Sequence, residues 1–76
     1  MGLVQTLELL SDARRYVADG EKCLERQRKI IDRLDLQGRD NLDAILFLEY
    51  LEEMQDRYVA HRDSLEQQVM TIVRPE

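Results

Sequence analysis

The sequence predicts an all-α protein: an antiparallel two-helix hairpin, with helices over about residues 3–36 and 41–73, that dimerises into a four-helix bundle. Three observations predict it. Apolar residues recur every three to four positions on both sides of one corner, Leu36-Gln37-Gly38-Arg39-Asp40, which is the spacing of a helix face. The only proline is Pro75 and the glycines are Gly2, Gly20 and Gly38, so the corner is the one strong interior break. No alternating β-branched run lies between turn residues, so a strand signal is missing. At 36% charged residues the composition is that of long amphipathic helices and coiled coils. The 76 residues form a single domain, 1–76. A chain of this size buries only about 60% of its unfolded surface even when compact.

The first helix begins near Leu3, or at Ser11 if that serine caps it, and runs to about Leu36. A heptad frame places Leu3, Leu10, Val17, Leu24 and Ile31 in one seam column and Thr6, Ala13, Gly20, Gln27 and Leu34 in the other. Leu9, Tyr16, Cys23 and Ile30 flank the seam and widen the apolar stripe. Gly20 costs about 1 kcal/mol relative to alanine inside a helix, so it calls for a close contact, and the Tyr58 ring is the expected one. A local kink at Gly20 is the alternative. Gln27, a seam amide, is of the kind that fixes register and could pair with its own copy across a dimer axis.

At the corner, Gly38 suits the left-handed conformation that follows a helix end. Asp40 is the expected N-cap of the second helix, with Asp43 three residues on in the acidic position of a capping box. So short a connection makes the helices antiparallel neighbours.

The second helix carries larger residues. Ala44, Leu51, Tyr58, Leu65 and Ile72 form one expected column, and Phe47, Met54, His61 and Gln68 the other, with Leu48 and Val69 beside it. Folding back about the corner pairs Leu34 with Ala44, Ile31 with Phe47, Leu24 with Met54, Gly20 with Tyr58 and Ala13 with Leu65. Small faces large along much of the seam. Leu42, Ile45, Leu46, Phe47, Leu48, Tyr50, Leu51 and Met54 nevertheless point in nearly every direction, more apolar surface than one helix covers. Self-association about a two-fold axis is the expected cover; a heterologous helix of an unidentified protein partner is the competing one.

Charge is unevenly shared. The chain through Arg39 is close to neutral, and the portion from Asp40 onward carries the negative charge behind the chain's net −5. An acidic chain is a poor candidate for non-specific nucleic-acid binding. Arg15, Lys22, Arg26, Lys29 and Arg33 lie near one line on the first helix, as a solvated face paired with Asp19 and Glu25, or as a site for an acidic protein or structured RNA. His61, in Ala60-His61-Arg62-Asp63, is expected on a seam position opposite Val17. It lacks the second His or Cys of a metal site and the nucleophile of a catalytic pair, so a structural role is expected; a phosphoacceptor role is the rival. The acids Glu49, Glu52, Glu53 and Asp56 face outward, not inward as in bundle metal sites. No cofactor and no catalytic residue is expected. The N-terminal Met1–Leu10 lacks a basic leader, and no stretch approaches the roughly 20 apolar residues of a membrane span, so a cytoplasmic protein is expected. The single Cys23 agrees with a reducing compartment.

Four segments carry a resemblance: Tyr16-Val17-Ala18-Asp19-Gly20-Glu21; Arg26-Gln27-Arg28-Lys29-Ile30-Ile31 with Leu34; Gly38-Arg39-Asp40; and Val59-Ala60-His61-Arg62-Asp63-Ser64-Leu65. They resemble a group of very small bacterial proteins of uncharacterised role that share a V-A-x-G-E, R-Q-x-x-I, G-x-D and V-A-x-R-D-x-L pattern. The resemblance spans roughly Arg14 to Leu65 and implies a helical hairpin with no assigned activity. His61 within the last motif and the apolar extension Val69–Val73 depart from the group. The expectation is a non-catalytic interaction or regulatory module that works as a homodimer.

Overall fold

A computed structural model describes residues 2–74, leaving Met1, Pro75 and Glu76 outside the described residues. Two helices, α1 (Leu3–Leu36) and α2 (Leu42–Val73), lie side by side as an antiparallel hairpin 60 Å long and about 15 Å across. Helix α1 starts at Leu3, so Ser11 sits inside it and residues 3–10 are its first turns, while Met1 lies outside the described residues. The Thr6 hydroxyl donates to the Gly2 carbonyl (2.9 Å), the same acceptor that takes the Thr6 backbone N–H. That satisfied hydroxyl lets a polar residue occupy a fully buried seam position.

The heptad reading of α1 holds along its whole length. Every residue of the two expected columns, from Leu3 to Leu34, is buried or half-buried, and every other residue of the helix is exposed. The deepest apolar cluster is Leu10, Ala13 and Leu65 with Val69 packed against it, so the small Ala13 does face a large side chain.

The corner is a complete Schellman turn. Gly38 takes φ of 66°, the Arg39 N–H donates to the Leu34 carbonyl (2.9 Å), and the Gly38 N–H donates to the Asp35 carbonyl (3.0 Å). The start of α2 corrects the sequence expectation by one residue. Asn41 is the N-cap, without a side-chain bond to its own helix, and its amide instead donates to Asp35 across the corner. Asp40 still accepts a first-turn donor, the Leu42 N–H at 3.0 Å. Among the hydrogen bonds of the described residues none closes a capping box on Asp43, which is left as an acid facing the positive end of the helix dipole.

Helix α2 is rotated relative to expectation. The column Ala44, Leu51, Tyr58, Leu65 faces α1 down to Leu65, whereas Ile72 is exposed. The second column is Leu48, Gln55, Arg62 and Val69, while Phe47, His61 and Gln68 lie exposed on one flank and Met54 is half-buried. Because the first column stays and only the second moves by one residue, the buried stripe turns by about half of the 100° between successive helical residues. The shift buries Leu48 and Val69 in place of His61 and Gln68, a gain in apolar burial, at the cost of seating Gln55 between the helices. His61 therefore does not face Val17, and Phe47 does not pack on Ile31 within the seam.

Gly20 explains how Gln55 is accommodated. A Cβ on Gly20 would lie 2.8 Å from the Gln55 Cδ and closer still to its Oε1, so the amide occupies the space a side chain would take. The expected partner, Tyr58, stacks on Tyr16 instead, with ring centroids 5.7 Å apart.

Candidate functional site

Because the helices are antiparallel and share one seam, the hairpin has two flanks, and the sequence makes them chemically unlike. On one flank α1 presents Leu9, Tyr16, Cys23 and Ile30 at heptad spacing, all exposed. Tyr16 and Cys23 share a shallow groove of about 190 Å³ with Gly20 and with Tyr50, Met54 and Tyr58 of α2. Phe47 stacks on Tyr50 one turn toward the corner, at a centroid distance of 6.1 Å. Aromatic and aliphatic side chains thus run from Ile30 and Phe47 to the Tyr16–Tyr58 stack without an intervening charge on the flank positions themselves.

The opposite flank carries ion pairs. Arg14 pairs with Glu66 across the two helices (3.5 Å), and Arg62 reaches both Asp63 (3.0 Å) and Glu66 (3.9 Å). These pairs are largely exposed and are worth a few tenths of a kcal/mol each. They hold long side chains over the seam at the level of Leu10 and Leu65, and Leu7, Ile45 and Val59 share that flank farther along.

Gln55 joins the two flanks through the seam. Its Nε2 donates to the Val17 carbonyl (2.9 Å) and to Glu21 Oε1 (3.1 Å), the latter on the ionic side. Its Oε1 is buried with no hydrogen-bond partner and points at Gly20, on the groove side. Two acceptors around one end of the amide fix its orientation, since the flipped amide would set oxygen against oxygen twice. Oε1 lies against the backbone of Gly20, where a side chain would otherwise stand. Gln27 is spent in the same way, its Nε2 donating to the Ala44 carbonyl at 2.9 Å. This bond ties the amide to α2 within the hairpin.

Of the side chains expected to drive self-association, Phe47 and Tyr50 lie on the apolar flank and are about half exposed, with Met54 half-buried beside them. Leu48 and Leu51 belong to the seam, and Ile45 is half-buried on the other flank. Leu42 and Leu46 are exposed and project away from the seam by their helical position. The structure brings in Tyr16, Cys23 and Tyr58, which the second helix alone could not have indicated. It also brings in Gln55, for which the only sequence signal is an otherwise costly glycine on the facing helix.

The basic residues separate into two rows. Arg15, Lys22 and Lys29 lie on the far side of α1 from the seam, whereas Arg26 and Arg33 lie one row over, beside the apolar flank. Lys29 pairs with Glu25 (3.4 Å) as expected, and Arg15 pairs with Asp12 and not with Asp19. His61 is exposed at the edge of the apolar flank. Among the described residues no three His, Cys, Asp or Glu side chains converge as a metal site would require, and no helix is long and apolar enough to cross a membrane. Compared with known proteins, the chain matches no family model, no curated protein and no solved structure.

Proposed function

We propose that this protein is a non-catalytic interaction or regulatory module whose working form is a homodimer, two hairpins closed face to face into a four-helix bundle. The observation that carries the reading is the contrast between flanks: one side of the seam is aromatic and aliphatic over half its length, while the other mixes ion pairs around Arg14, Arg62 and Glu66 with the scattered apolar Leu7, Ile45 and Val59. A surface helix pair exposing Tyr16, Ile30, Phe47 and Tyr50 on one side has an apolar patch of the kind that marks an interface.

A second copy is the occupant that this face fits. The hairpin is 60 Å long and 15 Å wide, so one whole side of it is comparable with the ~800 Å² per partner that a stable interface buries. The hairpin also needs what a second copy supplies. Its fully buried apolar side chains are Leu10, Ala13, Leu24 and Leu65, a core too thin for a chain of this size to gain much from burial alone. At about 25 cal/mol per Å² of apolar surface, covering the Tyr16–Tyr58 face on both copies contributes several kcal/mol. A binding role also suits the groove, whose lining is aromatic and aliphatic apart from Asp19 and Gln55.

The test is charge insertion on each flank. Phe47→Glu or Tyr50→Glu is expected to halve the solution mass and reduce helicity with it, and Arg14→Ala on the ionic flank to change neither. Unchanged mass in both face variants refutes the reading.

A further inference from the structure

The apolar face admits two ways of stacking a second copy, and the residues that border it distinguish them. This inference rests on the homodimer reading above and concerns its geometry. Beside the apolar flank, α1 carries Asp12, Asp19, Arg26 and Arg33 at heptad spacing, all exposed. Asp19 borders the groove directly. The rim is therefore acidic toward the open end of the hairpin and basic toward the corner, and it changes sign between Asp19 and Arg26, level with Cys23. Along α2 the same border carries Asp43, Tyr50 and Arg57, with His61 on the flank itself.

We propose that the two copies pack head to tail, about a two-fold axis that crosses the helices level with Cys23. Helix α1 then lies on the second copy's α1, reversed. Asp12 faces the second copy's Arg33, and Asp19 faces its Arg26, each pair occurring twice by symmetry. On the other side α2 lies on the second copy's α2, and Asp43 comes level with the second copy's His61. The same operation carries Phe47 from its place beside Ile30 to the second copy's groove between Tyr16, Gly20 and Tyr58. That groove, about 190 Å³ and lined by Tyr16, Tyr50, Met54 and Tyr58, is a concavity on the face, and an aromatic ring is the complement it fits. Each copy donates one ring and receives one.

The alternative axis, running along the hairpin, lays α1 on the second copy's α2 at equal heights. It matches Asp19 with Arg57 and Arg33 with Asp43, but it sets Asp12 against Ser64 and Arg26 against Tyr50, and it returns Phe47 to the level of Ile30, leaving the groove open. The head-to-tail axis gives every charged residue of the α1 rim an opposite charge and fills the groove. Rim charges of this kind select register and orientation more than they add affinity.

Charge reversal and cross-linking on the full chain separate the two. Asp19→Arg sets arginine against the second copy's Arg26 and is expected to raise the dimer dissociation constant about tenfold, two exposed like-charge contacts replacing two attractive ones. Adding Arg26→Asp restores it to within about threefold; Arg57→Asp in its place does not. With the wild-type chain, a short bis-maleimide is expected to join Cys23 to Cys23 at concentrations where the mass is that of a dimer, and a cysteine moved to position 11 in a Cys23→Ser background is expected to give no covalent dimer. A dimer that is rescued by Arg57→Asp and not by Arg26→Asp, or whose Cys23 thiols are not joined, overturns the head-to-tail geometry while leaving the homodimer standing. A wild-type chain that is monomeric throughout removes the homodimer and this geometry together.

Discussion

Replacing Gly20 with alanine sets two well-measured effects against each other. By helix propensity alone the substitution stabilises by about 1 kcal/mol. In this fold the new methyl group meets Gln55, with Cδ 2.8 Å away and Oε1 nearer, and the amide has to leave. Leaving breaks the Nε2 bonds to the Val17 carbonyl and the Glu21 carboxylate. Net losses of about 1 kcal/mol for the neutral bond and about 1.5–3 kcal/mol for the one to a charged group follow. After the propensity gain, Gly20→Ala is expected to destabilise by about 2 kcal/mol. The partner substitution closes the cycle. Gln55→Ala alone loses the same two bonds and costs about 2.5–4 kcal/mol, but Gly20→Ala added to it places a methyl group in the vacated space. The coupling energy between the two sites is then about 2–3 kcal/mol. Urea titrations followed by circular dichroism measure it, with chain concentration held equal across the four proteins because association contributes to stability. A Gly20→Ala protein that is more stable than wild type, or a cycle that is additive within about 0.5 kcal/mol, refutes the assignment of Gly20 as the seat of the Gln55 amide.

The corner and the second buried amide yield further expectations. Gly38→Ala forces a Cβ into a residue at φ of 66°, costing about 1–2 kcal/mol in the same titration although open space surrounds it; Gly38→Asn is expected to lose less. Asp40→Ala removes the acceptor for the Leu42 N–H and should lower stability by about 0.5–1 kcal/mol, with a larger loss in hydrogen-exchange protection at the start of α2 than elsewhere. Gln27→Leu is expected to stay within about 1 kcal/mol of wild type in thermal unfolding. Its volume is nearly preserved, and the Ala44 carbonyl that Gln27 caps keeps its own helical donor. A loss above about 3 kcal/mol would show that the amide, not the packing, holds that end of the hairpin.

Helix α1 was legible because its sequence offers one seam and no competitor. Leu3, Leu10, Val17, Leu24 and Ile31 make an unbroken apolar column, and the residues around them are charged on the far side. The corner was legible for the same kind of reason, since only Gly38 suits a left-handed residue there. Helix α2 was not, because Leu42, Ile45, Leu46, Phe47, Leu48, Tyr50, Leu51 and Met54 surround its first half. With apolar residues on every side, periodicity leaves the rotational phase open by one residue. The phase is settled by what α1 presents: a gap at Gly20 that takes the Gln55 amide, and Leu10 with Ala13, against which Leu65 and Val69 pack. That information lies on the facing helix and not in the pattern of α2. Displacing the second column of α2 by one residue also moved Phe47 and His61 out of the seam, so the apolar flank could be seen only once both helices were placed.

Self-association through the Tyr16–Tyr58 face is the central claim, and its most direct test is the solution mass of the wild-type chain by sedimentation equilibrium across a concentration series, with helicity followed in parallel. The account predicts a dimer, twice the 9.0 kDa of the chain, that loses helicity only as it dissociates. A fully helical monomer at every concentration would contradict it.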